Sequence, residues 1–233
     1  MPSASKRTGT AAVAAPPKEH TCLHSLKAET LANSTDSEEG KALRLRAIEE
    51  VRRSGQAPGL AIGEVLPAFV LPDAYGHPVS SSELLEHGPL VISFYRGDWS
   101  PYCNLELRAL ERASKEVATL GGSIVAISGQ RPDSALGLTE KHALSFPVLS
   151  DVDQTVIRAF KLRYDVPSEL RVMFEARGSD MSRRNADGSW TLPISATYVS
   201  DRNGTIVLAH ADAEWRVRLD PDDIVKALAK LSR

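Results

Sequence analysis

The chain has 233 residues and only two cysteines, which excludes a disulfide-stapled secreted scaffold and a zinc site built on four sulfurs. Its 28 basic and 30 acidic residues give a net charge of −2, without the electrostatic footprint of a nucleic-acid or anionic-membrane binder. With 42% hydrophobic residues, no apolar run near the length of a membrane span and no secretory signal after Lys6 and Arg7, it is predicted to be a cytoplasmic protein.

The first 60 residues predict extensions of one larger domain. Residues 1–21 are rich in Ala, Ser, Thr and Pro and have no apolar periodicity, which indicates a disordered arm. Residues 22–60 predict a helical extension and a linker, with a division near Asn33–Ser37 and Gly55 closing the second helix. The extension could pack on its own domain or swap across a dimer. Residues 61–233 are predicted to form the main domain.

From Ile62 onward, strands alternate with helices, which predicts an α/β sheet. The nearly all-apolar run Leu90–Tyr95 is typical of a central strand covered on both faces. A less regular insertion with apolar residues of its own, including Val172, is predicted between Leu162 and Leu192. The other predicted elements are the strand Phe69–Leu71, a helix from Ser81 or Ser82, the helix Pro101–Thr119, the strand Ile124–Ile127, the helix Asp133–Leu144, the strand Pro147–Leu149, the helix Gln154–Phe160, a hairpin of Thr197–Val199 and Thr205–Ala209 around Asn203-Gly204, and the helix Asp220–Lys230.

The segment FYRGDWSPYCNLE, residues 94–106, runs from the buried strand directly into a helix. Ser100 is a strong helix N-cap, Pro101 fits the first helical position, and Cys103 then falls in the first turn. The unpaired N–H groups and positive end of the helix favour an anion there, so the thiol pKa is expected to fall. Arg96 adds a permanent positive charge at the end of the strand. This arrangement predicts an activated nucleophile.

Each of these residues also has an ordinary structural explanation. A lone cysteine is often a small buried hydrophobe, Ser100 is accounted for as a cap, and Arg96 could be a solvated surface residue. The combination of strand, cap, proline and cysteine favours a chemical role for Cys103 over burial alone.

From Gly63 to Leu231 the chain resembles the thioredoxin-fold peroxiredoxins, specifically the peroxiredoxin-like branch of the alkyl hydroperoxide reductase and thiol-specific antioxidant family. Peroxiredoxins carry Thr or Ser three residues before the peroxidatic cysteine, as Ser100 stands before Cys103. An acidic residue three positions after the cysteine is also common, and Glu106 matches it. The resemblance is carried by SFYRGDWSPYCNLELRAL, VAISGQRPDS, FPVLSD, LPISATYVSDRNGTI and LDPDDIVKAL.

The resemblance implies an α/β thioredoxin-like fold, with a central mixed sheet flanked by helices, and a redox activity. The cysteine thiolate would attack a peroxide O–O bond to give a sulfenic acid, and a thioredoxin-like or low-molecular-weight thiol would restore it. The partners implied are hydrogen peroxide or alkyl hydroperoxides and that reductant, without a cofactor, a nucleic acid or a membrane. A homodimer is left open.

Three positions depart from the family pattern. Relatives in this branch usually have Cys-Pro-Tyr-Cys, whereas Ser100 replaces the first cysteine, so no local disulfide with Cys103 can form. Arg96 stands where peroxiredoxins have proline, and Ser195 stands where they have their active-site arginine. The charge that polarises the peroxide must therefore come from elsewhere or be missing. Arg96 is the first candidate and Arg131 is the second.

The remaining cysteine and the histidines add little chemistry. Cys22 is the only possible resolving thiol within the sequence, but its place in or beside the arm favours an incidental exposed cysteine. His20 and His24 flank Cys22 without a fourth ligand, and the six histidines show no metal-binding spacing. Two rival interpretations stay open: a diverged thioredoxin-fold protein that has become another enzyme or a binding scaffold, and a Cys-x-x-Cys enzyme in which Ser100 is an engineered trap.

Overall fold

The structure is a computed structural model that describes residues 37–232. The predicted arm, the first helix of the extension, Cys22, His20 and His24 lie outside the described residues. The helices are α1 (Glu38–Ser54), α2 (Ser81–His87), α3 (Pro101–Thr119), α4 (Pro132–His142), α5 (Thr155–Ala159), α6 (Ser168–Ala176), α7 (Met181–Arg184) and α8 (Pro221–Leu231). The strands are β1 (Val70–Pro72), β2 (Pro78–Ser80), β3 (Leu90–Phe94), β4 (Ser123–Ser128), β5 (Val148–Ser150), β6 (Arg163–Asp165), β7 (Thr191–Pro193), β8 (Ser195–Ser200) and β9 (Ile206–Asp212).

The central sheet has five strands in the order β5-β4-β3-β8-β9. Strands β3, β4 and β5 run parallel, whereas β8 pairs antiparallel with both β3 and β9, so the sheet is mixed. The hairpin of β8 and β9 places Ile206 opposite Ser200 across the Asn203-Gly204 turn. Two small antiparallel pairs, β1 with β2 and β6 with β7, lie outside this sheet.

Strand β3 separates two hydrophobic cores because its side chains alternate between the faces of the sheet. Leu90, Ile92 and Phe94 face one core, whereas Val91 and the following Tyr95 face the other. All five side chains are fully buried, as predicted for a central strand covered on both faces. The second core contains Cys103, together with apolar residues of α3 and α8. The candidate nucleophile therefore sits against the sheet.

Helix α1 packs on its own chain. Ser37 caps it by accepting a hydrogen bond from Gly40 N at 3.1 Å, and Gly55 ends it in the left-handed region at φ 65°, as predicted. Ala47 and Val51 enter the first core. In the linker, Leu60 N donates to the Tyr198 hydroxyl at 3.0 Å. A Cβ at the neighbouring Gly59 would lie 2.8 Å from that hydroxyl oxygen, so only glycine fits there.

The structure changes one prediction about the main domain. The segment between Leu162 and Leu192, predicted to be a less regular insertion, contains β6, α6, α7 and β7. Leu170, Phe174 and Met181 are buried in the first core, whereas Val172 is 66% exposed. The apolar residues of this segment are spaced for short helices, which were not recognised because each element has only three to nine residues.

Candidate active site

The candidate site lies where β3 leaves the sheet and α3 begins. Asp98 N donates to Gln130 Oε1 at 2.7 Å, and Gln130 Nε2 donates to Asp98 Oδ1 at 2.6 Å. Asn104 Nδ2 donates to the carbonyl oxygens of Asp98 at 2.7 Å and Ser100 at 3.0 Å. The connection is also tight at Gly97, where a Cβ would come within 2.3 Å of Trp99 Nε1. These contacts fix the backbone that leads into the helix.

Cys103 lies in the first turn of α3 and is completely buried. Its Sγ accepts hydrogen bonds from Arg96 N and from Arg218 Nη2, each at 3.4 Å. The first donor belongs to the connection after β3, and the second belongs to the segment between β9 and α8. The sulfur therefore meets a backbone N–H, a guanidinium and the positive end of a helix in one buried place.

Arg218 is held rigidly beside the sulfur. Its Nη1 forms a buried ion pair with Glu106 Oε2. Its Nε and Nη2 donate to the Trp215 carbonyl oxygen at 2.9 and 2.8 Å. Glu106 Oε1 in turn accepts from Thr197 Oγ1 on β8 at 3.4 Å. Burial lowers the pKa of Arg218, but the charges of Glu106 and Cys103 raise it overall, so the guanidinium stays protonated.

These surroundings favour the thiolate of Cys103. Burial alone would raise the pKa of the thiol, but the charges of Arg218 and then Arg96 lower it below its usual range. The negative charge of Glu106 raises the pKa of the thiol, whereas hydrogen bonding from Ser100 lowers it further. The positive groups outweigh both burial and Glu106.

Arg96 is the most unusual charged residue in the site. It is only 4% exposed, and its guanidinium lies 4.9 Å from the ring centroid of Trp99 and 4.6 Å from that of Trp215. Its Nη2 donates to Ser100 Oγ at 3.4 Å, whereas its Nε and Nη1 are buried without a hydrogen-bond partner. Burial raises the pKa of the neighbouring Tyr164, and the Arg96 charge partly offsets that rise.

The structure brings together four of the residues singled out in the sequence: Cys103, Ser100, Arg96 and Glu106. Ser100 occupies the N-cap position, but its side chain makes no capping hydrogen bond, because the hydroxyl meets Arg96 instead. The cap prediction is therefore wrong for the side chain, although the helix begins where predicted. Arg96 is buried, which removes its interpretation as a solvated surface residue.

Arg131 does not join this group. It is exposed at the N-cap of α4, and no hydrogen bond to Cys103 or Ser100 within the described residues comes from it. Sequence reasoning placed it near the site because it follows β4. That placement was wrong because the chain turns outward there, with Gln130, the preceding residue, directed at Asp98 instead.

Sequence reasoning missed Arg218. It stands between the hairpin and the last helix, far from Cys103 in the chain, and no local motif marks it. The signal available in the sequence was Ser195 at the usual arginine position, which left the source of the positive charge open. Ser195 itself is buried, and its Oγ has no hydrogen-bond partner.

Residues 37–232 contain neither a metal-binding cluster nor a membrane-spanning helix. No group of three or more His, Cys, Asp or Glu side chains is placed to hold a metal ion. No helix is long and apolar enough to cross a membrane.

Comparison with known proteins agrees with the fold. Residues 62–209 match the AhpC/TSA family. Chloroplastic peroxiredoxin Q of Sedum lineare is 29% identical over 169 residues, which are 72% of this chain and 78% of the relative. Chloroplastic peroxiredoxin Q of Gentiana triflora is 30% identical over 148 residues, which are 64% of this chain and 58% of the relative.

Solved structures are similar as well. The crystal structure of peroxidoxin BcpB from Mycobacterium tuberculosis is 25% identical, with a TM-score of 0.58, and covers 74% of this chain and 96% of that chain. Peroxiredoxin Q of Xanthomonas campestris, at 20% identity and a TM-score of 0.55, shows the same fold over 76% of this chain and 99% of that chain. The predicted thioredoxin-like fold is confirmed. The chain belongs to the AhpC/TSA family and is an oxidoreductase of the thiol peroxidase class.

Proposed function

We propose that the protein reduces hydrogen peroxide or alkyl hydroperoxides through Cys103 as its single peroxidatic cysteine, and that an external thiol regenerates it. The observation that carries this proposal is the environment of Sγ. The sulfur is buried at a helix N-terminus, 3.4 Å from both Arg96 N and Arg218 Nη2. A thiolate is the nucleophile in such chemistry, and these donors favour the thiolate.

The first step transfers one oxygen to sulfur. The Cys103 thiolate attacks one peroxide oxygen, an S–O bond forms and the O–O bond breaks. Sulfur is oxidised to the sulfenic acid, and the peroxide is reduced to an alkoxide or hydroxide that takes up a proton to leave as alcohol or water. Negative charge thus moves from sulfur to the departing oxygen, and fixed positive groups stabilise it at both places.

Arg218 and Arg96 stabilise negative charge at different atoms during this step. Arg218 contacts the sulfur directly, and its ion pair with Glu106 fixes its orientation. Arg96 has Nε and Nη1 without partners inside the site, so these groups can donate hydrogen bonds to a peroxide oxygen. We assign thiolate stabilisation to Arg218 and oxygen binding to Arg96, with Ser100 as the hydroxyl that links Arg96 to the cysteine.

Regeneration needs a thiol from outside the site. Ser100 cannot form a disulfide, and Cys103 is the only free cysteine within residues 37–232. The second step therefore begins with attack of an external thiolate on the sulfenic sulfur, which forms a mixed disulfide and releases water after protonation. A second thiol then frees Cys103. A reducing compartment such as the cytoplasm supplies these thiols, and we include that location in the proposal. Whether two copies of the chain form a homodimer can be measured from the mass of the protein in solution.

Stopped-flow measurement with hydrogen peroxide and cumene hydroperoxide tests the proposal. We expect peroxide consumption much faster than that of a free thiol, a sulfenic acid on Cys103, and loss of both in Cys103→Ser. Arg131→Gln, an exposed arginine outside the site, serves as the matched charge control and should react like the wild type. A Cys103 that reacts no faster than a free thiol would instead favour the diverged scaffold.

A further inference from the structure

The charge of the site changes during the reaction that we propose. Before oxidation, Arg96 and Arg218 carry two positive charges, while Glu106 and the Cys103 thiolate carry two negative charges. Formation of the sulfenic acid removes the negative charge on sulfur, so these groups then have a net positive charge. Two ion pairs on adjoining segments of the chain, Glu214 with Arg216 at 2.9 Å and Asp98 with Arg184 at 3.7 Å, are each neutral and do not compensate it.

The excess charge is located on Arg96. Arg218 keeps its carboxylate partner Glu106, whereas no carboxylate among residues 37–232 forms an ion pair with Arg96. Its Nε and Nη1 are buried without an acceptor, between the rings of Trp99 and Trp215. An uncompensated buried cation is costly, and a ligand with negative charge relieves that cost.

The same geometry limits the size of the reductant. Cys103 and Ser100 have no exposed area, whereas Trp99 and Trp215 are partly exposed above Arg96. Because the sulfur is buried, a small thiol requires less movement of the surrounding residues than a cysteine fixed on the surface of another protein. The larger partner would also have to displace the backbone before α3, which the hydrogen bonds of Asn104 and Gln130 hold in place.

We infer that the oxidised enzyme is reduced by a small anionic thiol, a low-molecular-weight thiol that carries a carboxylate or sulfonate, and that Arg96 binds this acidic group. The inference rests on the proposed function and names the chemical class of its reductant. The thiolate of the bound molecule attacks the sulfenic sulfur, an S–S bond forms, and the hydroxyl leaves as water after protonation. A second molecule of the same thiol then completes the reduction of Cys103 and leaves as the disulfide.

Two thiols that differ in charge test whether the oxidised enzyme prefers an anionic reductant. The sulfenic form is prepared with one equivalent of hydrogen peroxide and identified by mass spectrometry, and its reduction by 2-mercaptoethanol and by 2-mercaptoethanesulfonate is then followed separately. Rates are expressed per thiolate, so that the difference in the ionised fraction of the two thiols cancels. We expect the sulfonate to react at least about ten times faster, equivalent to about 1.4 kcal/mol. The preference should shrink as salt is added, because salt screens the attraction.

Variants assign the preference to one side chain. Arg96→Gln should react equally with both thiols, Arg96→Lys should retain part of the preference, and Arg131→Gln should retain all of it. The salt series on the wild-type protein checks the inference even if an Arg96 variant does not fold. Equal rates in the wild type, a preference unchanged in Arg96→Gln, or faster reduction by thioredoxin than by either small thiol would overturn the inference. Absence of any sulfenic acid after peroxide would instead overturn the proposed function.

Discussion

Arg218→Met is the substitution that most directly probes the electrostatics of Cys103. Methionine is apolar and occupies the space of the aliphatic part of Arg218, so it removes the charge and the hydrogen bond from Nη2 to Sγ at 3.4 Å. Because the Arg218 charge lowers the pKa of the thiol, that pKa should rise in the variant. The pH at which peroxide reactivity is half-maximal should move upward with it.

The size of the effect follows from the contacts that are lost. A hydrogen bond to a charged group contributes about 1.5–3 kcal/mol, and each 1.36 kcal/mol changes a rate about tenfold. The second-order rate constant with hydrogen peroxide at neutral pH should therefore fall about 10- to 100-fold. Stability should fall too, because Glu106 is left buried without its ion-pair partner, at a cost of about 3–5 kcal/mol.

The double variant Arg218→Met/Glu106→Gln separates these two effects. Glutamine removes the orphaned charge and keeps an oxygen for Thr197, so most of the lost stability should return. The rate should stay well below that of the wild type, because the positive charge at the sulfur is still absent. Stopped-flow kinetics from pH 4 to 9 and urea unfolding measure the two quantities. An unchanged rate and pH midpoint in Arg218→Met would refute the role given to this arginine.

Three further substitutions test other parts of the structure. Ser100→Cys restores a local dithiol, so peroxide should produce an intramolecular disulfide with Cys103; mass spectrometry that finds only sulfenic acid would contradict this. Asn104→Leu removes the two donors that hold the connection before α3, so the peroxide rate should fall about tenfold with a loss of about 1–3 kcal/mol of stability, and equal kinetics would exclude a positioning role. Burial raises the pKa of Asp151 to about 6, above the value of about 3.9 for an unfolded aspartate. The folded state therefore binds the proton more tightly, and the stability that this gives is present in acid and is lost as the pH rises through 6. Asp151→Asn should therefore gain stability relative to the wild type between pH 4 and 7, by up to about 3 kcal/mol in urea unfolding, and a difference independent of pH would contradict the argument.

Much of the fold could be predicted because its signals are local. The apolar run of β3, the proline at the start of α3 and the Asn203-Gly204 turn each fix an element through the chemistry of a few adjacent residues. The segment from Leu162 to Leu192 lacks such signals. Its strands are three residues long and its helices are short, so tertiary packing rather than periodicity determines them.

The site divides in the same way. Cys103, Ser100 and Arg96 are close in sequence, and the transition from strand to helix predicts that they meet. The sequence could not show that Arg96 is buried between Trp99 and Trp215, because Trp215 is more than one hundred residues away in the chain. Nor could it show which of the chain's other arginines approaches the sulfur.

The position of Arg218 explains how the site keeps its charge although Ser195 replaces the arginine that the family resemblance implies. Side chains two residues apart on a strand face the same side, so Ser195 and Thr197 of β8 point in one direction. Thr197 contacts Glu106, and Glu106 is the ion-pair partner of Arg218. A long side chain at 195 would therefore extend toward the place that Arg218 fills from the segment after β9, whose last residue, Asp212, is paired with Ser195. Two buried cations there would share one carboxylate at a high cost, so the serine at 195 and the arginine at 218 are parts of one arrangement.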